Sequence, residues 1–370
     1  MKVGILTYHR SINYGAYLQA LCLQKELSCI KDCDAEIIDY DTCSAERYYK
    51  SKLKESGLRR KIYNVRRYMM FTRMRKQLPL SADSLVTDDI DEFNRFIKDR
   101  YDLIVVGSDE VWRVGGFRPF PNAYWLPGTE GVRKAACAVS GRNGIDELDD
   151  ETKESMTKCL SDFELITVRD CATKRMTDSL LQGNKEAAVI CDPTLAFDFS
   201  FDREEGRRLL QRKFHIDPDK KVIAVMDSAG DIVRNLNTSK DIQFVSLYSY
   251  YPGLKNNPDI EPEEWVQIIA SSDALITAFF HGMCIALSSD TPFLFCEERR
   301  DVKSEFSKGY DLLCRYSLED CYVHYTDEQL KERINGFVDD TVSGPVCADF
   351  GKLRKNERAN FDIFIDHLTK

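Results

Sequence analysis

The feature of this 370-residue sequence that most restricts its fold is the alternation of short, β-rich apolar runs with helical patterns. Such alternation is typical of βαβ units, which build a mostly parallel sheet flanked by helices. The runs form two series, separated by a polar and charged stretch at 197–219. We therefore predict two doubly wound α/β domains, of residues 1–200 and 201–370, that face each other across a cleft.

The boundaries of the elements follow from the same patterns. The predicted strands are Val3–Thr7, Ala35–Asp39, Leu103–Val106, Lys134–Val139, Leu165–Val168, Ala187–Cys191, Val222–Met226, Ile242–Ser246, Ala274–Thr277 and Pro292–Phe295. The predicted helices are Ala16–Leu27, Glu151–Phe163, Ala172–Leu181, Pro262–Ser271 and Gly282–Ser288. Open parallel sheets bind ligands beyond the carboxyl ends of their strands, so the residues directly after each strand are the candidates for function.

The charge of the chain is unevenly distributed. The net charge of −9 argues against general nucleic-acid binding. Between Ala45 and Leu80, however, twelve Lys and Arg residues stand against two Glu residues, among aromatic and aliphatic side chains. We predict a basic helical insertion at about 45–100. Its segment 45–80 is either a solvated helix packed on the body or a surface for an anionic membrane or a pyrophosphate-linked acceptor.

The amino-terminal sequence and the cysteines indicate the compartment. The first ten residues predict a strand and contain neither a long apolar region nor a small-residue cleavage site. We therefore predict a cytoplasmic protein, with peripheral contact at the inner face of the membrane as an option for the basic segment. The thirteen cysteines are scattered and include no CxxC pair, which indicates reduced thiols and no metal site.

The first candidate loop runs from His9 to Ala16 and leads from a predicted strand directly into a helix. Backbone N–H groups at such a helix start, beside the small Gly15, can receive an anion. Asn13 can instead simply cap the helix. Because the loop has neither the GxGxxG nor the P-loop spacing, a plain turn stays an open alternative.

Polar side chains also follow three other predicted strands of the first domain. Asp109 or Glu110 can orient an acceptor hydroxyl or act as its base, although Ser108 or Asp109 can equally start a helix. Ser140 offers a hydroxyl group. Arg169 suits bidentate recognition of a carboxylate or phosphate, and the alternative is a structural salt bridge to a neighbour such as Asp170 or Asp192.

The most specific candidate in the second domain is His281, at the start of a predicted helix directly after a buried strand. In that position an imidazole can donate to an anion or shuttle a proton near neutral pH. A half-buried imidazole satisfied by its neighbours is the alternative. Lys308 precedes another helix and either adds positive charge to the site or is solvated.

These segments, in this order, resemble the motifs of the polysaccharide pyruvyl transferase family. The resemblance covers most of the chain. The matching segments are Asn13–Ala20 (NYGAYLQA), Val106–Trp112 (VGSDEVW), Val168–Asp170 (VRD), Cys191–Leu195 (CDPTL), Pro262–Trp265 (PEEW) and Phe280–Gly282 (FHG). Single motifs are weak signals, but their common order is a strong indication of family membership.

The resemblance implies a GT-B-like fold of two Rossmann-type domains that face a central cleft. It implies transfer of pyruvate from phosphoenolpyruvate, as a ketal, to a sugar of a cell-surface polysaccharide or glycan precursor, with release of phosphate. The implied partners are this donor and a glycan or lipid-linked oligosaccharide acceptor, with no further cofactor. A GT-B glycosyltransferase that uses a nucleotide sugar, or a noncatalytic binding member of the family, stays open because fold does not fix function.

Residue by residue, the resemblance implies that Arg169 and His281 bind the carboxylate and phosphate of the donor. We predict His281 as the proton donor or phosphate ligand and Asp109 as the residue that orients or deprotonates the acceptor. The other predicted substrate-binding residues are Asn13, Tyr14, Gly15, Ser108, Ser140, Gly282 and Lys308.

Overall fold

The computed structural model describes residues 1–53, 57–141, 145, 148–226, 229–233, 241–297, 307–326, 329–343 and 349–369. Residues 54–56, within the predicted basic segment, lie outside these ranges. The chain forms two compact units, each assembled from separate stretches of sequence. The first unit contains Met1–Lys54, Thr72–Phe197 and Asn356–Lys370, and the second contains Glu55–Phe71 and Asp198–Lys355.

The described residues of the first unit form a seven-stranded parallel sheet with the order β3-β2-β1-β4-β5-β6-β7. Its strands are β1 (Lys2–Leu6), β2 (Asp34–Asp41), β3 (Leu80–Val86), β4 (Leu103–Asp109), β5 (Arg133–Val139), β6 (Leu165–Val168) and β7 (Ala188–Val189). The strand order runs outward in both directions from β1 and β4. The topological switch point, where open α/β sheets bind ligands, therefore lies between the carboxyl ends of these two strands.

Helices flank this sheet. They are α1 (Tyr14–Ser28), α2 (Cys43–Lys52), α3 (Leu58–Arg75), α4 (Ile90–Ile97), α5 (Asp150–Ser161), α6 (Cys171–Leu181) and α7 (Pro193–Ala196), of which α3 contains the division between the units. The core includes the fully buried rings of Trp112 and Trp125, stacked with their centres 5.3 Å apart. Burial of such large apolar surfaces dominates the stability of the unit.

The described residues of the second unit form a six-stranded parallel sheet with the order β10-β9-β8-β11-β12-β13. Its strands are β8 (Lys221–Met226), β9 (Ile242–Ser246), β10 (Lys255–Asn256), β11 (Ala274–Thr277), β12 (Phe293–Glu297) and β13 (Tyr322–His324). Its helices are α8 (Arg203–Phe214), α9 (Ala229–Val233), α10 (Pro262–Ser271), α11 (Phe280–Ser289), α12 (Lys308–Cys314), α13 (Leu330–Ser343) and the first residues of α14 (Gly351–Leu368). The switch point of this sheet lies between β8 and β11.

The α/β character and the parallel sheets confirm the predicted fold class, and every predicted strand coincides with an observed strand to within a few residues. Several observed elements were not predicted, among them α8 and β3. The charged stretch 197–219 contains α8, because Asp202 caps a helix whose Leu209, Leu210 and Phe214 are buried. The basic insertion contains β3, which pairs with β2 at the edge of the sheet despite its polar sequence.

Two segments also depart from the predicted boundary between residues 200 and 201. Residues 356–370 belong to the first unit, where Arg358 contacts Glu26 at 2.7 Å. Residues 55–71 belong to the second, where Tyr63 donates to the carbonyl of Asn257 at 3.3 Å. Both contacts join residues remote in sequence, so no local pattern predicts them.

Two further findings concern the whole described chain. No disulfide links the cysteines of the described ranges. None of the helices within these ranges is long and apolar enough to cross a lipid bilayer.

Candidate functional site

The loop between β1 and α1 is held by a cap and by charge. The Asn13 side chain accepts the N–H of Ala16 at 3.2 Å and caps α1. His9 and Arg10 contact the Asp39 carboxylate of β2 at 2.9 and 2.7 Å. Burial alone would raise the pKa of Asp39, but the hydrogen bonds from His9 and Arg10 outweigh it and hold this pKa at about 2. The loop is therefore fixed to the sheet at neutral pH.

The backbone at the carboxyl end of β4 adopts an unusual conformation. Gly107 has φ +115°, and a Cβ atom at this position would collide with the carbonyl oxygen of Cys137. Asp109 has φ +82°, a region that residues with a side chain rarely occupy. Its carboxylate accepts the N–H of Glu110 at 2.8 Å. Such strained positions concentrate at functional sites, which supports a functional role for Asp109.

A buried polar network lies behind Asp109. The Arg169 side chain is 0% exposed, and its guanidinium contacts Asp192 at 2.9 Å and Asp109 at 3.4 Å. Ser108 donates its hydroxyl to the same Asp192 oxygen at 2.6 Å. Burial alone would lower the pKa of Arg169, but Asp192 and Asp109 raise it above its ordinary value, so this arginine is charged. The structure thus shows the ion pair with Asp192 that was the alternative for Arg169, and its contact with the donor carboxylate stays a prediction.

A pocket of about 190 Å³ opens in the first unit, lined by residues that follow β1 and β4. Asn13 and Asp109, both predicted from the sequence, line it. Its remaining lining residues are Tyr8, Ser11, Ala16, Tyr49, Glu110, Arg113, Gly115, Phe117 and Arg118. The predicted Ser108 and Ser140 are buried and do not line it, and neither does Arg169.

Sequence reasoning missed Arg118, which supports the wall of this pocket. Its guanidinium binds both oxygens of Asp41 at 2.9 and 3.0 Å and lies 3.9 Å from the centre of the Tyr8 ring. Burial alone would lower the pKa of Arg118, but Asp41 and nearby tyrosines raise it well above its usual value. Asp41 ends β2 and is therefore detectable as a residue that follows a strand. Arg118 lies in an irregular segment with no such signal.

In the second unit, three predicted residues lie around the start of α11. His281 is 8% exposed in the first turn of the helix. A Cβ atom on Gly282 would come within 3.0 Å of the Met226 sulfur, so the helix packs closely on the sheet. The Lys308 ammonium lies 5.4 Å from the centre of the Phe280 ring, within the range of a cation–π contact.

The basic helix α3 contributes a further cation beside this helix start. The Arg67 guanidinium lies 4.2 Å from the ring centre of Tyr248, and the ring of Tyr248 lies 4.5 Å from that of Phe279, the cap residue of α11. Arg67 also donates to the Tyr248 carbonyl. The basic composition of residues 45–80 was detectable in the sequence, but this position of Arg67 was not.

Two parallel sheets with flanking helices, each with polar groups after the strands at its switch point, define an α/β protein of GT-B-like fold. The family model of the polysaccharide pyruvyl transferases matches residues 13–299, and the chain belongs to this family. The resemblance found in the sequence is thereby confirmed.

Solved structures of similar fold include sugar-nucleotide epimerases. UDP-GlcNAc 2-epimerase from Neisseria meningitidis, bound to UDP-GlcNAc, has a TM-score of 0.54 at 10% identity over 100% of both chains. UDP-GlcNAc 2-epimerase from Methanocaldococcus jannaschii has a TM-score of 0.53 at 13% identity, over 98% of this chain and 99% of that one. Anabaena Alr3699/HepE, in complex with UDP and glucose, has a TM-score of 0.50 at 9% identity over 99% and 100%.

At these identities the likeness shows the fold alone. No curated protein shows significant sequence similarity to this chain.

Proposed function

We propose that this protein transfers pyruvate from phosphoenolpyruvate to two hydroxyls of one sugar in a polysaccharide or glycan precursor, on the cytoplasmic side of the membrane. The observation that carries the choice of donor is the group of Arg67, His281 and Lys308 around the start of α11, in a chain of net charge −9. Phosphoenolpyruvate carries a carboxylate and a phosphate, which such groups recognise.

The reaction has a defined balance of atoms. The methylene carbon of phosphoenolpyruvate takes up a proton and becomes a methyl group, and one sugar hydroxyl adds to the neighbouring carbon. A second hydroxyl then displaces phosphate at that carbon. The two hydroxyls release two protons, of which one is now in the methyl group and the other leaves with phosphate. A proton donor, a base and cations for the phosphate are therefore required.

The predicted residues fit these tasks. His281 donates the proton or binds the phosphate, with Lys308, Arg67 and the N–H groups beside Gly282 as further ligands of the donor. Asp109 orients or deprotonates the acceptor hydroxyl, and Asn13 lines the acceptor site, directly before Tyr14 and Gly15 in the buried first turn of α1. Arg169, together with Ser108, positions Asp109 through Asp192, because its guanidinium is buried against these carboxylates.

Phosphoenolpyruvate is expected to raise the melting temperature of the purified protein. At 100 times its dissociation constant a ligand adds about 2.7 kcal/mol of stability, which corresponds to roughly 5 °C or more. Differential scanning fluorimetry with phosphoenolpyruvate, inorganic phosphate and a panel of UDP-sugars measures this. Lys308→Met should reduce the shift. Protection by a UDP-sugar and not by phosphoenolpyruvate would favour a GT-B glycosyltransferase instead.

We also propose that α3 contacts an anionic membrane. Its outward side chains Leu58, Ile62 and Met69 are 76%, 51% and 64% exposed. The opposite face is buried through Tyr63, Met70, Phe71 and Met74. Helix α3 contains seven Arg and Lys residues and no acidic residue. An apolar row beside basic side chains is the arrangement of helices that lie in a membrane interface.

Ile62→Glu is expected to weaken binding to vesicles of anionic phosphatidylglycerol by about tenfold or more, because one apolar contact is replaced by a like charge. Co-sedimentation with phosphatidylglycerol and with neutral phosphatidylcholine vesicles measures the effect. Ile363→Glu is the matched control, since Ile363 is an equally exposed isoleucine (55%) on α14. Equal binding by both variants, or no vesicle binding by the wild type, would refute the proposal. A dimer in light scattering would instead indicate that a second copy of the chain covers the exposed apolar face of α3.

A further inference from the structure

Arg113 differs from the other arginines around the first-unit pocket. Arg10, Arg118 and Arg169 are each paired with a carboxylate, namely Asp39, Asp41 and Asp192. The Arg113 side chain lines the pocket, and its buried Nε atom has no hydrogen-bond partner among the residues that the structure describes. No described carboxylate forms an ion pair with it. Among the described residues, Arg113 is therefore a pocket cation without a paired carboxylate, in a pocket that Asp109 and Glu110 also line.

The walls of this pocket are aromatic and fixed. Tyr49 hydrogen-bonds Ser11 through its hydroxyl at 2.8 Å. The Phe117 ring stacks on Tyr48 with ring centres 4.2 Å apart, the Tyr49 ring lies edge-on at 5.9 Å, and the Arg118 guanidinium lies 4.8 Å from the centre of the Phe117 ring. Rigid rings of this kind pack well against the apolar face of a sugar. A volume of about 190 Å³ suits a single sugar ring.

Asp109 and Arg113, two polar residues that line the pocket, can form different contacts with a ligand. Asp109 is an acceptor of hydrogen bonds, which suits the hydroxyls of a sugar. Arg113 is a planar donor that pairs with a carboxylate or phosphate, and a bare guanidinium in a partly buried site favours a ligand that brings the missing negative charge. A neutral sugar would leave this donor without an ionic partner.

We propose that this pocket binds a sugar that carries a negative charge, either a phosphate or a carboxylate, and that Arg113 selects for that charge. The inference rests on the proposed function only in naming this sugar as the pyruvyl acceptor. Binding itself requires no phosphoenolpyruvate. Arg113 is thus a specificity-determining residue for the acceptor, distinct from Asp109, which handles the hydroxyls.

Binding of three related probes tests the proposal: galactose 1-phosphate, galacturonate and galactose, titrated calorimetrically at low salt without phosphoenolpyruvate. We expect at least one anionic sugar to bind about tenfold or more tightly than galactose, since a charge-assisted bond adds that much. Arg113→Gln should remove this difference and leave galactose binding unchanged. Arg113→Lys should restore part of it, and Arg95→Gln, an exposed arginine of α4, should leave all three affinities unchanged.

The outcomes of these titrations distinguish a phosphate from a carboxylate as the charged group. They also test the acceptor pocket separately from the proposed donor. Preference for galactose 1-phosphate supports a phosphate-linked sugar, and preference for galacturonate supports an acidic sugar. Equal binding of all three probes, or equal loss of all three in Arg113→Gln, would overturn the inference. If anionic sugars bind but phosphoenolpyruvate gives no thermal protection, the donor assignment fails while the acceptor pocket stands.

Discussion

Arg169→Met is expected to lower the free energy of unfolding of the first unit by about 3–5 kcal/mol. The substitution removes a fully buried cation and its ion pair with Asp192, whose side chain is also 0% exposed. The hydroxyls of Ser108 and Thr194, which donate to Asp192 at 2.6 and 2.7 Å, are neutral and do not replace this ion pair. Urea denaturation followed by tryptophan fluorescence measures the change, because Trp112 and Trp125 lie in the core of this unit.

A matched variant separates this effect from a general effect of losing an arginine. Arg175 is an exposed arginine of α6, and Arg175→Met should change the free energy of unfolding by less than about 0.5 kcal/mol. The contrary result would be informative too. If Arg169→Met unfolds like the wild type but loses protection by phosphoenolpyruvate, Arg169 binds the donor directly, as the family resemblance implies, and does not act through Asp192.

His281→Ala is expected to slow phosphate release from phosphoenolpyruvate by about 10²–10⁴-fold in the presence of an acceptor, the usual contribution of a general acid or base. The imidazole lies in the first turn of α11, after the strand at the switch point of the second sheet. A coupled assay for inorganic phosphate measures the rate. If His281 only donates the proton, kcat falls and KM is unchanged; if it also binds the phosphate, KM rises as well.

His367→Ala is the control for this experiment, because His367 is exposed on α14. It should retain wild-type turnover and wild-type thermal protection. Wild-type turnover by His281→Ala would remove this histidine from the chemistry. If the protein is a noncatalytic member of the family, the wild type and both variants would bind phosphoenolpyruvate without releasing phosphate.

The parallel sheets were predictable because their signal is local. Buried strands such as β4 and β8 are continuous apolar runs, and the helices that follow them begin with recognisable caps such as Asn13. Strand β3 was not predicted because it lies at the edge of the sheet with three of its seven residues exposed, and Ser81, Asp83 and Ser84 interrupt its apolar residues. Helix α8 was not predicted because most of its residues are charged. These charged residues cover the side opposite Leu209 and Leu210.

The candidate site was predictable only in part, for a related reason. Asp109 ends β4, and Asn13 and His281 lie at the starts of the helices that follow β1 and β11, so the rule that ligands bind at strand ends finds them. Arg113 and Arg118 lie farther along the loop after β4, and their importance depends on partners. Arg118 meets Asp41 across 77 residues of sequence, whereas Arg113 matters because no described carboxylate meets it. Pairing of this kind is set by the order of the strands, which a single sequence does not reveal.

The return of residues 356–369 to the first unit has a consequence for how the protein is made. Arg358 contacts Glu26 across 332 residues, and the carbonyl of Glu357 accepts from the Cys191 thiol. A ribosome synthesises the sheet of this unit long before the helix that completes its packing. The nascent first unit therefore lacks this helix, and the surface around Glu26 and Ala196 stays uncovered, while residues 198–355 are translated. Completion of the first unit is therefore expected to follow synthesis of the second sheet, and not to precede it.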